Sequence, residues 1–369
     1  MTRLADLPTP ALLLDLPTLR RNIAAMHQAV ARHGVALRPH LKTAKSVEVA
    51  RLATAGEAGG ITVSTLAEAE YFARAGFGDQ IYAVGITPAK LDRVAALNAH
   101  GAAVKVITDD ADVAAAIAAH PGAITALVEV DVGEGRGGLG PDDDALVAVA
   151  RALGPRFAGV LTHAGHSYAG RSTADMARIA EAERAGIVRA AERIRAAGIA
   201  VPIVSMGSSP TALHAETLAG VTEVRAGVYM FGDLLQCQIG TETREDIAVS
   251  VLASVIGRRP GKNQVLLDAG ALALSKDRST EGAPKDYGFG LVVDLAGKPS
   301  LGEAIVRRAY QEHGVVESDV ALPFDALPVG AKLRVLPNHS CLTAAAYEAY
   351  HVLDGSDEIV AVWPRVNYW

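Results

Sequence analysis

Along the first two-thirds of the chain, short β-rich apolar runs alternate with longer stretches in which apolar residues recur three and four positions apart. The short runs fall at 36–39, 60–63, 81–84, 103–107, 126–130, 158–161, 203–205 and 223–226, and they predict eight strands. A helix starting near Pro17 precedes the first, and amphipathic stretches at 46–55, 66–75, 88–99, 110–119, 142–153, 173–197 and 210–218 separate and follow the others. Gly76, Gly154 and Gly198 stand where these helices would stop.

Strict alternation of strand and helix implies parallel strands joined by right-handed crossovers, and eight such units close into a (β/α)8 barrel of TIM type. An open doubly wound sheet is the competing α/β architecture; the count of eight favours the barrel. After Gly232 the pattern changes to turn-bounded runs at 246–256, 264–268, 288–293, 332–336 and 358–363, with little helical periodicity, which reads as a second, β-rich domain. The apolar run 11–15 would be a ninth barrel strand and is expected instead to cross into that second domain. The predicted division is a barrel over 16–240 and a β-rich domain made of 1–15 plus 241–369.

Composition narrows the function classes. A 369-residue chain with half its residues hydrophobic and 21% charged has ample material for a packed core. Its net charge of −6 and the lack of any dense Lys/Arg run argue against a nucleic-acid partner. Cys237 and Cys341 are the only cysteines, too few for a disulfide framework, so a cytoplasmic location is expected. Asp6 and Pro8 interrupt the N-terminus where an export signal would need an apolar core, and the longest uncharged stretch, 113–128, is too short to span a bilayer; no membrane partner is expected.

Barrel enzymes build their sites from the loops that follow the strands. Those loops read Arg38-Pro39-His40-Leu41-Lys42, Asp131-Val132-Gly133-Glu134-Gly135-Arg136, His163-Ala164-Gly165-His166-Ser167-Tyr168, Met206-Gly207-Ser208-Ser209-Pro210 and Arg225-Ala226-Gly227-Val228-Tyr229. Gly207, Ser208 and Ser209 form a small-residue turn in which Ser209 would cap the helix and Pro210 would open it. With Gly227 in the next loop, this is where barrels of this type hold a phosphate.

A phosphate anchor and Lys42 on the same mouth suggest a phosphorylated aldehyde held as a Schiff base, that is, pyridoxal 5'-phosphate (PLP). A partly desolvated setting near Arg38 and Arg136 would favour the neutral amine of Lys42; the plainer alternative is a solvated lysine like Lys45. Arg136 is placed to face the pyridine nitrogen, or else to pair with Glu134 or Asp131. His166, as a catalytic group, and Tyr168 are the candidates for contacts to ring, phenolate or substrate, while His40 and Tyr229 lie in cofactor-side loops. In the second domain, His339 and Cys341 would share one face of an extended segment and could grip a single metal ion with coordination positions to spare.

Taken together these loops resemble the fold-type III, alanine racemase-like PLP enzymes that include eukaryotic-type D-serine dehydratase, D-threo-3-hydroxyaspartate dehydratase and D-threonine aldolase. The pieces that carry the resemblance are Thr9-Pro10-Ala11-Leu12-Leu13-Leu14-Asp15, the Lys42 and Arg136 motifs, Gln311-Glu312-His313-Gly314 and His339-Ser340-Cys341. The resemblance implies that Lys42 carries the cofactor, that Arg136 lies near the pyridine nitrogen, that His339 and Cys341 bind a divalent metal, and that the protein is a homodimer. It also implies a His-x-Cys pair in the dehydratases against His-x-Asp in the aldolases. A soft thiolate favours zinc over the harder manganese or magnesium. The expected reaction is elimination of water from a D-β-hydroxy-α-amino acid such as D-serine or D-threo-3-hydroxyaspartate, giving a 2-oxo acid and ammonia. The alternative is retro-aldol cleavage to glycine and an aldehyde. A cofactor carrier lacking the second domain and an amino-acid racemase fit the sequence less well, the latter because it has no use for the metal pair.

Overall fold

A computed structural model describes residues 2–367 and 369. The chain divides into two compact units, one formed by the residues up to Ile23 with Val228–Arg365, the other by Ala24–Gly227 with the residues from Val366 on.

The second of these units is built on eight parallel strands: Ala36–Pro39, Ile61–Val63, Asp79–Gly85, Ala103–Thr108, Thr125–Val130, Phe157–Thr162, Ile203–Met206 and Glu223–Ala226. Each overlaps a predicted run. Neighbours in sequence pair in space, the eighth strand pairs with the first in the register Arg225↔Arg38, and a single parallel bridge, His40↔Thr62, joins the first to the second. The expected closed barrel is therefore present.

Helices pack onto the strands through apolar stripes, and several begin at side-chain caps: Thr65 accepts the Glu68 amide, Asp110 the Val113 amide and Ser172 the Asp175 amide. The helix Thr173–Ala196 buries Met176, Ile179, Ala180, Ile187, Ala190 and Ile194, with the spacing of one helix face. Each large apolar side chain so buried contributes roughly 1.5–3 kcal/mol. On the same face Gly186 is required by a close approach, since a Cβ there would lie 2.9 Å from Val132 Cγ1.

Inside the barrel, charge is balanced locally. Arg38 donates to Glu223 at 2.9 Å and Asp79 at 3.0 Å, while Arg225 donates to the Ser205 hydroxyl and the Thr162 carbonyl. Register pairing sets the two arginines opposite each other on neighbouring strands, and these partners offset the cost of burying them.

In the other unit, Val249–Arg259, Gln264–Leu267, Gly314–Glu317, Ile305–Ala309, Leu291–Val293 and Lys332–Leu336 pair in that order, and the last returns to pair with the first. This closes a six-stranded antiparallel barrel. Ala11–Asp15 adds to it against Val249–Arg259 and also pairs with Ala349–Leu353, so the run at 11–15 does belong to the β-rich part. Strands Ile305–Ala309, Gly314–Glu317 and Ala349–Leu353 were not among the predicted runs. In the first of them, Arg307 and Arg308 stand together because the ladder shifts between Val306 and Arg308, and that irregularity erases the alternation a strand would show in sequence.

Candidate active site

The turn carrying Lys42 is pinned to strands on both sides. The His40 amide donates to the Ala226 carbonyl at 2.7 Å, and the Leu41 amide to the Thr62 carbonyl at 2.9 Å. Gly227 permits the first contact, because a Cβ at that position would stand 2.6 Å from the His40 carbonyl oxygen. Lys42 itself is exposed, which corrects the expectation of a partly desolvated amine: it sits in the turn beyond the last residue of its strand. Among the described residues no ion pair or hydrogen bond occupies its amine.

The Arg136 loop is folded by Asp131, whose Oδ1 accepts the amides of Gly133, Glu134 and Gly135 at 2.9, 2.9 and 3.1 Å. Asp131 is thereby committed to the backbone. The partner of Arg136 is Glu129, at 4.0 Å, in place of the Glu134 or Asp131 suggested by sequence, and the guanidinium remains largely exposed. Glu134 instead approaches His166, with Oε2 3.8 Å from Nδ1 and no hydrogen bond formed by either atom.

His166 and Tyr168 lie on the short 3-10 turn Gly165–Ala169, and Ser167 of that turn reaches Ser208 at 3.0 Å between hydroxyl oxygens. The helix cap after the seventh strand is Ser208, not Ser209. Thr211, three residues on, completes a reciprocal capping box, so Ser209 and Pro210 become the first two helical residues. Tyr229 is buried in the turn Val228–Met230 and belongs, with that turn, to the other unit.

Positive charge converges on this mouth. Burial, then the charges of Lys42, Arg225, His163 and Arg136, hold the His40 imidazole well below its ordinary value. His163 is pushed down to about 3 by burial and by Lys42, against the pull of its bond to the Gly207 carbonyl at 2.9 Å, with Arg225 and Arg136 adding to the fall. A cluster of cations beside neutral imidazoles and an uncommitted amine is a donor set that suits an anionic aldehyde such as PLP.

The His339–Cys341 segment departs from expectation. Strand Lys332–Leu336 has already ended, and His339 is the N-cap of the one-turn helix Ser340–Ala344, so alternation along a strand does not bring the pair together. Cys341 nevertheless lies close enough to raise the proton affinity of the His339 imidazole, and Asp277 Oδ2 lies 3.6 Å from His339 Nδ1. Burial lowers the imidazole's proton affinity, but Asp277, Cys341 and Asp233 outweigh it and raise the pKa to about 11. Such surroundings suit a cation, and the imidazole and thiol are the donors that would hold one. Among the described residues no third His, Cys, Asp or Glu joins them closely enough to share an ion.

Sequence reasoning missed Glu183, Asp233 and Asp277. Only Glu183 had a visible signal, a carboxylate on the apolar stripe of helix Thr173–Ala196.

Comparison with known proteins agrees with this geometry. Residues 14–234 match the family model described as alanine racemase, N-terminal domain, and residues 248–353 that described as putative serine dehydratase domain. D-threo-3-hydroxyaspartate dehydratase of Delftia sp. (strain HT23) is 46% identical over 99% of each chain. Its solved structure superposes with a TM-score of 0.97, at 44% identity and full coverage of both chains. 3-Hydroxy-D-aspartate aldolase of Paracoccus denitrificans (strain Pd 1222) is 31% identical, covering 98% of this chain and 92% of the relative.

The chain belongs to the fold-type III PLP family that contains D-threo-3-hydroxyaspartate dehydratase and D-serine dehydratase. It is an enzyme, a PLP-dependent lyase of that type. Among the described residues no helix is long and apolar enough to cross a membrane.

Proposed function

We propose that the protein eliminates water from a D-β-hydroxy-α-amino acid of the 3-hydroxyaspartate or serine kind, giving a 2-oxo acid and ammonia. The observation that carries this reading is the closeness of Cys341 to His339, which sets a soft thiol beside an imidazole as a donor pair in a chain 46% identical to a dehydratase. The resemblance associates that pair with dehydration and a His-x-Asp pair with aldol cleavage.

Bound PLP supplies the electron sink that makes the substrate Cα–H acidic. Lys42, in its uncommitted setting, would hold the cofactor through its amine, and that amine is the base placed to take up the Cα proton. His40, His163, Arg136 and the Gly207–Ser208–Ser209 turn with Gly227 orient the cofactor, and His166 and Tyr168 face the substrate. Tyr229 is assigned to the cofactor side. The Arg136 guanidinium keeps positive charge at the pyridine side. A divalent ion, zinc for preference, would supply a Lewis acid for the departing hydroxyl, with His339 and Cys341 holding it. The homodimer expected of the family is part of this proposal.

Turnover of D-threo-3-hydroxyaspartate, D-serine and D-threonine, with and without chelator, tests it. Oxo acid with stoichiometric ammonia, lost on chelation, is the expected result. Glycine with an aldehyde as the main products would replace dehydration by retro-aldol cleavage.

A further inference from the structure

We propose that Glu183 is the positioning residue of the barrel mouth, fastening the turn after the sixth strand to the turn after the seventh through a single carboxylate oxygen. The inference rests on the reading that this mouth holds PLP. Glu183 Oε1 accepts the Ala164 amide at 3.1 Å and the Gly207 amide at 2.9 Å, and the residue is wholly buried. No step of the proposed chemistry uses it.

The anchor is rigid for reasons visible in its own helix. Glu183 occupies a core position of Thr173–Ala196, between Ile179 and Ile187, both buried, so its backbone cannot shift without unpacking that face. The two amides belong to the segments carrying His163, His166 and Tyr168 on one side and Gly207, Ser208 and Ser209 on the other. Gly207 is itself confined: its φ is +130°, and a Cβ there would stand 2.3 Å from the Arg225 carbonyl oxygen. Two further links, His163 Nδ1 to the Gly207 carbonyl at 2.9 Å and Ser167 to Ser208 at 3.0 Å, join the same turns. Glu183 reaches both turns from outside them. It turns two loops into one body referenced to a packed helix, which is what a cofactor held at several points requires.

Glu183→Gln keeps the shape and one neutral acceptor, while Glu183→Ala removes the acceptor. Both are made in the full chain, stripped of cofactor and titrated with PLP by absorbance, and amide exchange is followed in peptides covering 163–169 and 206–211. Glu183→Gln must place an amide NH2 group at the buried position of Oε2, where no hydrogen-bond acceptor is recorded among the described residues, so it is expected to weaken PLP binding about tenfold. Exchange should rise in both peptides together, with the remaining peptides unchanged, and saturating PLP should recover most of kcat. Glu183→Ala should weaken binding further; if it does not fold, the Gln variant decides. Unchanged PLP affinity with unchanged exchange in Glu183→Gln overturns the proposal, as does faster exchange in one turn only or throughout the chain. Borohydride reduction of the parent that leaves no cofactor on Lys42 would sink the cofactor reading, while leaving the exchange result to decide on Glu183.

Discussion

Asp233 Oδ2 accepts the amide of Ser340 at 3.1 Å, and Ser340 is the residue between His339 and Cys341. The other oxygen of Asp233 accepts the Gln236 amide at 2.9 Å, and the amides of Leu234 and Leu235 bond to the carbonyls of Pro337 and Asn338. Residues 233–236 therefore act as a template on which the donor pair is laid. Asp233→Ala is expected to weaken zinc binding about 10- to 100-fold, as loss of supporting bonds around metal ligands does. It should also cost about 1–3 kcal/mol of stability by leaving buried amides unpaired. Asp233→Asn, which retains an acceptor, should fall between. Competition with a chelating dye and urea unfolding measure the two effects; reduced stability with unaltered zinc affinity would leave Asp233 a structural role only.

The donor pair makes a prediction about metal identity. Cys341→Ser replaces a soft donor by a hard, weakly acidic one, so affinity for zinc should fall by about 100-fold or more while affinity for manganese changes far less. PLP content, read from absorbance, should stay at the parent's level. Chelator should abolish oxo-acid formation by the parent, and zinc should restore it to the parent but not to His339→Ala. Full activity in metal-free buffer would remove the ion from the reaction.

The barrel was legible because its strands are short and most carry a buried apolar run, so the runs at 36–39 and 223–226 stand out and coincide with observed strands. The mouth was legible as a set of residues, since strand-end loops are located once the strands are, but its pairings were not. Arg136 meets Glu129 because Asp131 is spent on three amides, a commitment that depends on backbone geometry and leaves no trace in spacing. The cap after the seventh strand slipped by one residue because two serines precede Pro210, and only Thr211 decides between them. Asp233 and Asp277 were invisible because their partners lie 107 and 62 positions away in the chain.

Lys42 carries the sharpest chemical prediction. Lys42→Ala should remove the covalently held cofactor, so borohydride followed by peptide mass analysis should find it on residue 42 of the parent and nowhere in the variant. Loss of a positioned general base typically costs 10²- to 10⁴-fold, and loss of cofactor tethering adds to it, so activity should fall by about 10³-fold or more. Small amines added to the medium should recover a part of it. A variant that keeps a reducible adduct and near-parent turnover would move the reaction to another lysine.

The two imidazoles of the mouth predict how the cofactor-free protein responds to acid. In an unfolded chain each titrates near pH 6.5. In the folded chain His40 is held well below that value and His163 at about 3, by burial and by Lys42, Arg225 and Arg136, each imidazole also facing the other or the Gly207 carbonyl. Between these limits the unfolded state binds more protons than the folded one, so stability rises with pH. It is at its full value above pH 6.5 and falls as pH drops through 6.5, each group contributing about 1.4 kcal/mol per pH unit until its folded-state value is reached. His163→Asn keeps a donor for the Gly207 carbonyl but cannot titrate. Urea unfolding of the cofactor-free protein between pH 4.5 and 7.5 should then show, below pH 6.5, a slope shallower than the parent's by up to about 1.4 kcal/mol per pH unit, and no difference in slope above it. Equal slopes would mean that His163 is already protonated in the folded chain and that the cationic cluster beside Lys42 is weaker than its geometry indicates.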